Sequence, residues 1–529
     1  MVFTLHRYMF REILRIFVLA TVALTLILSL GMILQPVQKF GVGPRQAVTI
    51  LFIFMPVTLT FVLPMAALFA SALAYGRFAG DNEIDACRAS GIGAMTLIYP
   101  GLVLAVLVAI ANLVLSFHVM PYFVRMAEAS LKSDAKQILF RNLQRRGYYS
   151  IRSGSGSFLI YADHADLEQD TLYGIVIVQT SKTQDVRKTT TADEARVKFD
   201  SQKRFNEVRL TVRNCRQMGS GNEPWEGTVG LLPVTMEFES LMPDDIKFKR
   251  LDQMKRIQAN LMLFDPVARL VREVYTQYVT ELLAQDVNEA IASGGSYEFK
   301  GTAHSIRFSA RRCELRDPAA IGLMPPVVVE EWDGSGRRRR LVCTKAEIQV
   351  QSGTFDPKVT LYLHNPSVQE TGQSLVPYGV GDLRLPEAVV RRVDPMPVLD
   401  LVTGDLASGL KRPPSAILAR GQADLLKKIY RTKKDIQAEL NSRLVFGVGC
   451  VPMILIGIGL GILQKGGHLL SAFGASCVPA AVLIISIVSG KHLTQNGAVG
   501  SLTGIGIMWG GLVFLALLAA GIYRKLQRG

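Results

Sequence analysis

The residues of this chain that could do chemistry gather in two short constellations, and neither is a catalytic set. The first reads Gly76-Arg77-Phe78-Ala79-Gly80-Asp81-Asn82-Glu83-Ile84-Asp85-Ala86-Cys87-Arg88-Ala89-Ser90-Gly91. Asp81 is placed to cap a short helix. Glu83 and Asp85 fall in its first turn, where the helix dipole favours negative charge, and Gly91 can end it. A capped acidic helix of this kind, lying between two apolar runs, can dock into a groove of another protein and pass motion to both runs; the plainer reading is an ordinary loop helix. The second constellation is Gln437-Ala438-Glu439-Leu440-Asn441-Ser442-Arg443. Glu439 and Arg443 stand four apart and can pair across one helical turn. The default for such spacing is a modest surface ion pair at a helix entrance.

The signatures of catalysis are missing. No G-x-x-x-x-G-K-[ST] occurs, and Ser489-Gly490-Lys491-His492 lacks the upstream glycine, so the chain has no P-loop for a triphosphate. There is no H-E-x-x-H and no G-x-S-x-G. The seven histidines are scattered and no C-x-x-C occurs, so neither a metal centre nor a redox centre is supported. No cofactor is expected, and any ATP-driven role requires a partner that supplies the nucleotide site.

The elements that hold the constellations are set by hydropathy. The chain has 529 residues, 49% hydrophobic and 19% charged; an average soluble chain carries about 25% charged residues. The deficit is local. Six charge-free runs are long enough to cross a membrane: 16–38, 46–76, 89–124, 444–464, 466–490 and 492–523. Three precede a polar block and three follow it. Pro56 and Pro64 interrupt the second run, where a kink is expected. The first run is too long for a signal-peptide core and lacks an A-x-A-like site, so it reads as a retained helix. No Asp, Glu, Lys or Arg lies mid-span, which disfavours transport through an ionisable relay.

Lys and Arg in short loops set the orientation. With the N-terminus inside, nine lie in inner segments and three (Lys39, Arg45 and Lys491) in short outer loops. Both termini are therefore expected inside and the polar block outside. The inner segments carry +5 of the net +15, leaving +10 on the outer parts. On the outer face of a membrane, nucleic acid is not a sensible partner for that charge; acidic lipid headgroups are the better one, and the plainer reading is an outer domain that is simply basic.

The polar block alternates as half-buried strands do: Val208, Leu210 and Val212; Val359, Leu361 and Leu363; with Phe158–Tyr161, Leu172–Val178 and Ala346–Val350 as further strands. Many short strands point to a β-sandwich or jelly roll. A helix with apolar positions Val267, Leu270, Val271, Val274, Tyr278 and Leu282 breaks them and is expected to pack on a sheet. Arg337–Arg340 reads as a solvated turn. Leu425, Ile429, Ile436, Leu440 and Leu444 place one helix from about Ser415 into the fourth span. Of Cys215, Cys313 and Cys343 at most one pair can form. Cys313–Cys343 is nearest in sequence, and whether it forms is left open.

At these residues the chain resembles the LptF/LptG (YjgP/YjgQ) family, the permeases of lipopolysaccharide export. Arg7-Tyr8 with Arg11-Glu12 is similar to the family's opening, and Leu63-Pro64-Met65-Ala66-Ala67-Leu68 to its second span. Glu83-Ile84 with Ala89-Ser90-Gly91-Ile92 resembles its coupling helix, and Ala438-Glu439-Leu440-Asn441 with Arg443 the opening of its fourth span. The resemblance implies a multi-pass inner-membrane protein, membrane α-helical with six transmembrane helices, 3 + 3, around an inserted all-β periplasmic domain that is jelly-roll-like. Its parts would be 1–124 with a coupling helix at 77–91, a periplasmic domain 125–430 with a helical insertion at about 250–340, and 431–529. It implies a non-catalytic subunit of an ATP-driven exporter of lipopolysaccharide or a similar anionic glycolipid. Its partners would be a cytoplasmic ABC ATPase dimer, a second permease subunit (a heterodimer or a homodimer) and a periplasmic bridge protein. Glu83, Ile84, Ala89 and Gly91 would couple to the ATPase, while Lys39 and Arg45 would meet lipid phosphates entering by a lateral gate between spans one and five. Two features depart from the family: the outer block is roughly twice the family's, and only Lys39 and Arg45 stand where it carries several basic residues. A different class of function, a membrane-anchored periplasmic receptor or assembly scaffold without transport, needs neither the acidic loop helix nor such long charge-free spans.

Overall fold

A computed structural model describes residues 2–528 except 41–43, 134, 154–155, 181–185, 201–205, 220–224, 239–243, 302–304, 333–337, 352–357, 376–377, 394–396, 464–468 and 496–500. The chain opens with α1 (Val2–Phe40) and α2 (Pro44–Gly80), which continues through both Pro56 and Pro64. The loop helix α3 (Glu83–Ala89) follows, then α4 (Ala94–Val114), a π turn at Leu115–Val119, α5 (Met120–Ser133) and α6 (Ala135–Arg146).

Six strands come next: β1 (Tyr148–Ser153), β2 (Gly156–Asp166), β3 (Thr171–Thr180), β4 (Val186–Asp200), β5 (Asn206–Gly219) and β6 (Trp225–Phe238). They form one antiparallel sheet in chain order, and it curls enough to bring β1 and β6 near each other. Its inner face buries Ile160, Leu172, Ile177, Val197, Leu210 and Val212 against Leu139, Phe140 and Leu143 of α6. A crease crosses the sheet. The buried positions change parity from Ala162 to Ala165 and from Val212 to Cys215, so β2 and β5 each spend one residue, at Asp163 and Asn214. The register is unchanged across this line (Ala162 faces Ile175 and His164 faces Tyr173; Arg213 faces Leu231 and Cys215 faces Val229), so neighbouring strands skip a residue together. Gly174 of β3 and Asn214 of β5 take φ of +60° and +51° there, the left-handed region that glycine and asparagine tolerate.

After α7 (Leu251–Ala259) runs α8 (Asp265–Ala292), the helix expected from the apolar positions between Val267 and Leu282. Ten strands follow: β7 (Tyr297–Lys300), β8 (Ser305–Ser309), β9 (Arg312–Asp317), β10 (Ala320–Met324), β11 (Val327–Trp332), β12 (Arg338–Cys343), β13 (Lys345–Gln351), β14 (Lys358–His364), β15 (Ser367–Val368) and β16 (Tyr378–Leu383). They make two five-stranded sheets, ordered β16-β14-β13-β10-β9 and β15-β12-β11-β8-β7. Val267, Val271, Val274, Tyr278 and Leu282 of α8 share one core with both sheets, so the helix packs on sheet as its periodicity required. Arg338–Arg340 begin β12 rather than forming a turn; Arg337 lies outside the described residues. The strand tolerates the charges because they face solvent and Glu330 of β11 pairs with Arg338.

The polar block holds thiols, not a bridge: all six cysteines are free. Burial pushes the Cys313 thiol up to about 12 and the Cys343 thiol up to about 11. Both should therefore resist maleimide in the folded protein at pH 8, while the half-buried Cys87 of α3 reacts. Mass spectrometry after labelling with and without denaturant checks this; labelling of Cys343 as fast as Cys87 would contradict the buried placement.

Two short helices, α9 (Glu387–Val393) and α10 (Val398–Thr403), lead into α11 (Ala416–Leu463), followed by α12 (Leu469–Gln495) and α13 (Ser501–Arg528). Among the described residues, six helices are long and apolar enough to span a membrane, three before the sheets in the chain and three after. The apolar windows of the second and fourth are 72% and 67% buried, against 22% to 33% for the others, so α2 and α11 form the axis of the bundle. They approach closely through small residues. Ala66, Ala67, Ala70 and Ala74 of α2 are buried, and Ser71 Oγ lies 3.3 Å from the Ile454 carbonyl of α11. Small residues let two backbones meet where lipid offers no hydrophobic drive.

One expected boundary fails. The fifth helix does not stop at Gly490 before Lys491 but runs on to Gln495, so Lys491 is not in a loop. Its charge ends the apolar run in sequence, yet in space it is paired, and the helix has no reason to end there.

Candidate functional site

The loop helix α3 is fastened on three sides. Gly80 closes α2, and Asn82, at φ 56°, turns the chain into α3. The N-cap is thus Asn82 without a side-chain bond, not Asp81; asparagine tolerates the left-handed turn that a two-residue connection demands. Ile84 is the buried anchor and packs with Leu97 and Ile98 of α4. Gly91, at φ +82°, ends the motif, with its N–H bonded to the Arg88 carbonyl. Glu83 is half-buried, while Ala89 and Gly91 are exposed.

The start of α1 reaches the same place. Tyr8 Oη lies 3.5 Å from Glu83 Oε1, and Glu12 Oε1 accepts from Arg77 Nη2 at 2.7 Å. The His6 ring meets the Thr96 carbonyl at 2.9 Å. Residues 6–12, 77–91 and 96 therefore form one assembly joining spans one, two and three. The sequence displayed the Tyr8 and Glu12 motif but not its pairing, since nothing in one sequence relates positions about 70 apart. Chemically this assembly offers a small, rigidly held acidic helix. It has no nucleophile beside a base, and among the described residues no three of His, Cys, Asp and Glu converge as metal ligands.

The second constellation lies on α11 near the sheet-side end of the bundle. Arg443 Nε donates to Glu439 Oε1 at 2.9 Å, as the spacing requires. It is not a surface pair: the two side chains are 3% and 8% exposed. Arg443 Nη1 donates to the Ser116 carbonyl at 3.0 Å and the Lys249 carbonyl at 3.1 Å, and Nη2 to the Lys247 carbonyl at 2.8 Å. Its guanidinium also lies 5.5 Å over the Phe117 ring. Ser116 and Phe117 belong to the π turn, a widened turn that leaves a carbonyl free to accept from outside its own helix. Lys491 of α12 donates to the other Glu439 oxygen. Between Glu439 and Arg443 in the chain, Asn441 Oδ1 accepts from Trp509 Nε1 of α13 at 3.0 Å. The four-residue spacing foretold only the first of these bonds. The signal available for Lys491 was its position as the lone charge between two apolar runs.

The third expected site, Lys39 and Arg45, has its side chains outside the described residues.

Residues 7–239 match the family model of the Lipopolysaccharide export system permease LptF/LptG. The match covers less than half the chain and ends where the six-stranded sheet ends, at β6. It contains α3 and the α1 residues that hold it. The two-sheet domain and the last three spans lie beyond it. A comparison with curated proteins gives no match.

Proposed function

We propose, from the match of residues 7–239 to the LptF/LptG permease family of lipopolysaccharide export, that the protein is the permease subunit of an ATP-driven exporter. It takes lipopolysaccharide or a similar anionic glycolipid from the inner membrane and passes it to a periplasmic bridge. The observation that carries this reading is the fastening of α3 to three spans through Tyr8–Glu83, Glu12–Arg77 and buried Ile84. A force applied to such a helix moves spans one, two and three together, which is what a permease lacking a nucleotide site requires of its contact with an ATPase. On this reading α3 and both termini face the cytoplasm, and the sheets stand in the periplasm, the curled six-stranded sheet serving as the jelly-roll-like element that meets the bridge. The poorly buried spans one, three and six leave apolar faces for lipid and for a second permease subunit.

Glu83, Ile84, Ala89 and Gly91 form the coupling surface. Glu83→Lys reverses a partly exposed charge, a change that costs the fold little. Copurification in mild detergent should lose most of the ATPase while the spans keep their melting behaviour. Retention of the ATPase at wild-type level would remove Glu83 from the surface, and absence of any ATPase from the wild-type pull-down would favour a receptor or scaffold instead.

Lys39 and Arg45 are the proposed contacts to the lipid's acidic headgroup, at the ends of α1 and α2 that flank the first outer loop. Charge-assisted contacts are strong and sensitive to salt. Lys39→Ala with Arg45→Ala should reduce lipid-stimulated ATP turnover several-fold, with the deficit narrowing at high salt. Unchanged turnover, with photo-crosslinks from position 39 to bulk phospholipid only, would refute the lipid contact.

A further inference from the structure

We propose that the Glu439–Lys491 ion pair is a releasable latch that ties the sheet-side end of the fifth span to a rigid body built on the fourth. The three charges are held asymmetrically. Arg443 is fixed: four of its five N–H groups are spent on Glu439 and on three backbone carbonyls from the π turn and from residues 247 and 249. Those carbonyls join α11 to the third span and to the segment that leads from the six-stranded sheet into α7. Above them, Leu418, Leu425 and Ile436 of α11 are buried in the core shared by α8 and the two five-stranded sheets. The fourth span, that core and the base of the third span therefore hold together at Arg443.

Lys491 is attached differently. It comes from α12, makes one bond to the cluster and keeps 30% of its side chain exposed. If it leaves, Glu439 retains the Arg443 guanidinium and no carboxylate is stranded. Lys491 then gains water or headgroups without crossing apolar protein. If Arg443 left, the buried Ser116 carbonyl and the part-buried carbonyls of Lys247 and Lys249 would lose their donor. A buried ion pair resists opening when separation leaves a charge unpaired; here the third charge removes that obstacle for one direction of separation only. The sheet-side end of α12, which Gln495 also joins to Asp435 of α11 by a side-chain hydrogen bond, is thus the element able to part from α11 once both bonds open.

Double electron–electron resonance on the full-length chain in lipid nanodiscs tests this, with spin labels at Tyr430 of α11 and His492 of α12 in a Cys87→Ser, Cys477→Ser background. Both labelled positions are exposed. The parent should give one narrow distance. Lys491→Gln should add a longer distance, raising the ratio of parted to closed populations at least tenfold, while Lys491→Arg restores the parent distribution. The Arg443–Glu439 pair remains in both variants, so each should fold. A Lys491→Gln distribution that superimposes on the parent's, or a Lys491→Arg distribution that parts as far as Lys491→Gln, would overturn the latch. The readout is a distance and stands apart from the identity of the transported lipid.

Discussion

Arg443→Met is expected to be the most damaging single change in the polar clusters of the protein, lowering stability by about 3–5 kcal/mol, the range for breaking a buried, hydrogen-bonded pair. The loss is not chiefly Coulombic. The cluster carries one negative and two positive charges, and after the change Glu439 still holds Lys491. What is lost is the donor to the carbonyls of Ser116, Lys247 and Lys249. Each buried acceptor left bare costs about 1–3 kcal/mol, less where water can enter. Arg443→Lys should recover less than half, because one ammonium cannot replace a planar fork that serves four acceptors. Thermal unfolding followed by tryptophan fluorescence in detergent checks this. A melting midpoint equal to that of the wild type would show that Arg443 is not the joint between the spans and the segment below the sheets.

The second large effect is expected at Gly461. A Cβ there falls 2.5 Å from the Ala72 carbonyl oxygen and 2.8 Å from the Gly76 nitrogen of α2. These are backbone atoms and cannot rotate away. A Cβ at Gly457, one turn earlier, would fall 2.6 Å from the Leu68 carbonyl oxygen and collide with the Ser71 hydroxyl. Gly461→Leu must therefore push α11 off α2, the two most buried spans. Overpacking of a tight core costs about 1–3 kcal/mol when only side chains must move, and a backbone collision lies at or above the top of that range. Gly510→Leu is the control, since a Cβ there meets nothing within 4 Å. The Gly461 variant should be recovered in low yield and melt early, while the Gly510 variant behaves as wild type. Equal behaviour of the two would mean that α2 and α11 are not in such close contact.

Much of the scaffold was legible in the sequence, for physical reasons that differ by element. The six spans stand out because hydrocarbon tolerates few charges, and α8 and α11 because burial of one helical stripe imposes a period near 3.6 residues. The helix expected from about Ser415 begins at Ala416 and enters the bundle without a break. Strands β5 and β14 were visible in the alternation of Leu210 with Val212 and of Val359 with Leu361 and Leu363. Arg338–Arg340 were misread because a strand with three solvent-facing arginines shows too few apolar residues to register its period. The end of the fifth helix was misplaced because sequence shows the charge of Lys491 and not the carboxylate that meets it. The π turn at Leu115–Val119 left no mark at all, since its carbonyl is claimed by an arginine more than 320 residues later. The acidic loop helix was legible as an element; its attachment to Tyr8 and Glu12 was not, because that is tertiary pairing.

On the proposed function, this chain moves an anionic glycolipid when an ATPase acts on α3. The most direct measurement reconstitutes the full-length protein in liposomes with its partner permease, its cytoplasmic ATPase and lipopolysaccharide. It then follows photo-crosslinking of the lipid to a periplasmic bridge protein with and without ATP. Crosslinks should accumulate only with ATP and be lost in Glu83→Lys. An assembled complex that hydrolyses ATP and yet delivers no more lipid than the ATP-free control would contradict the proposed function.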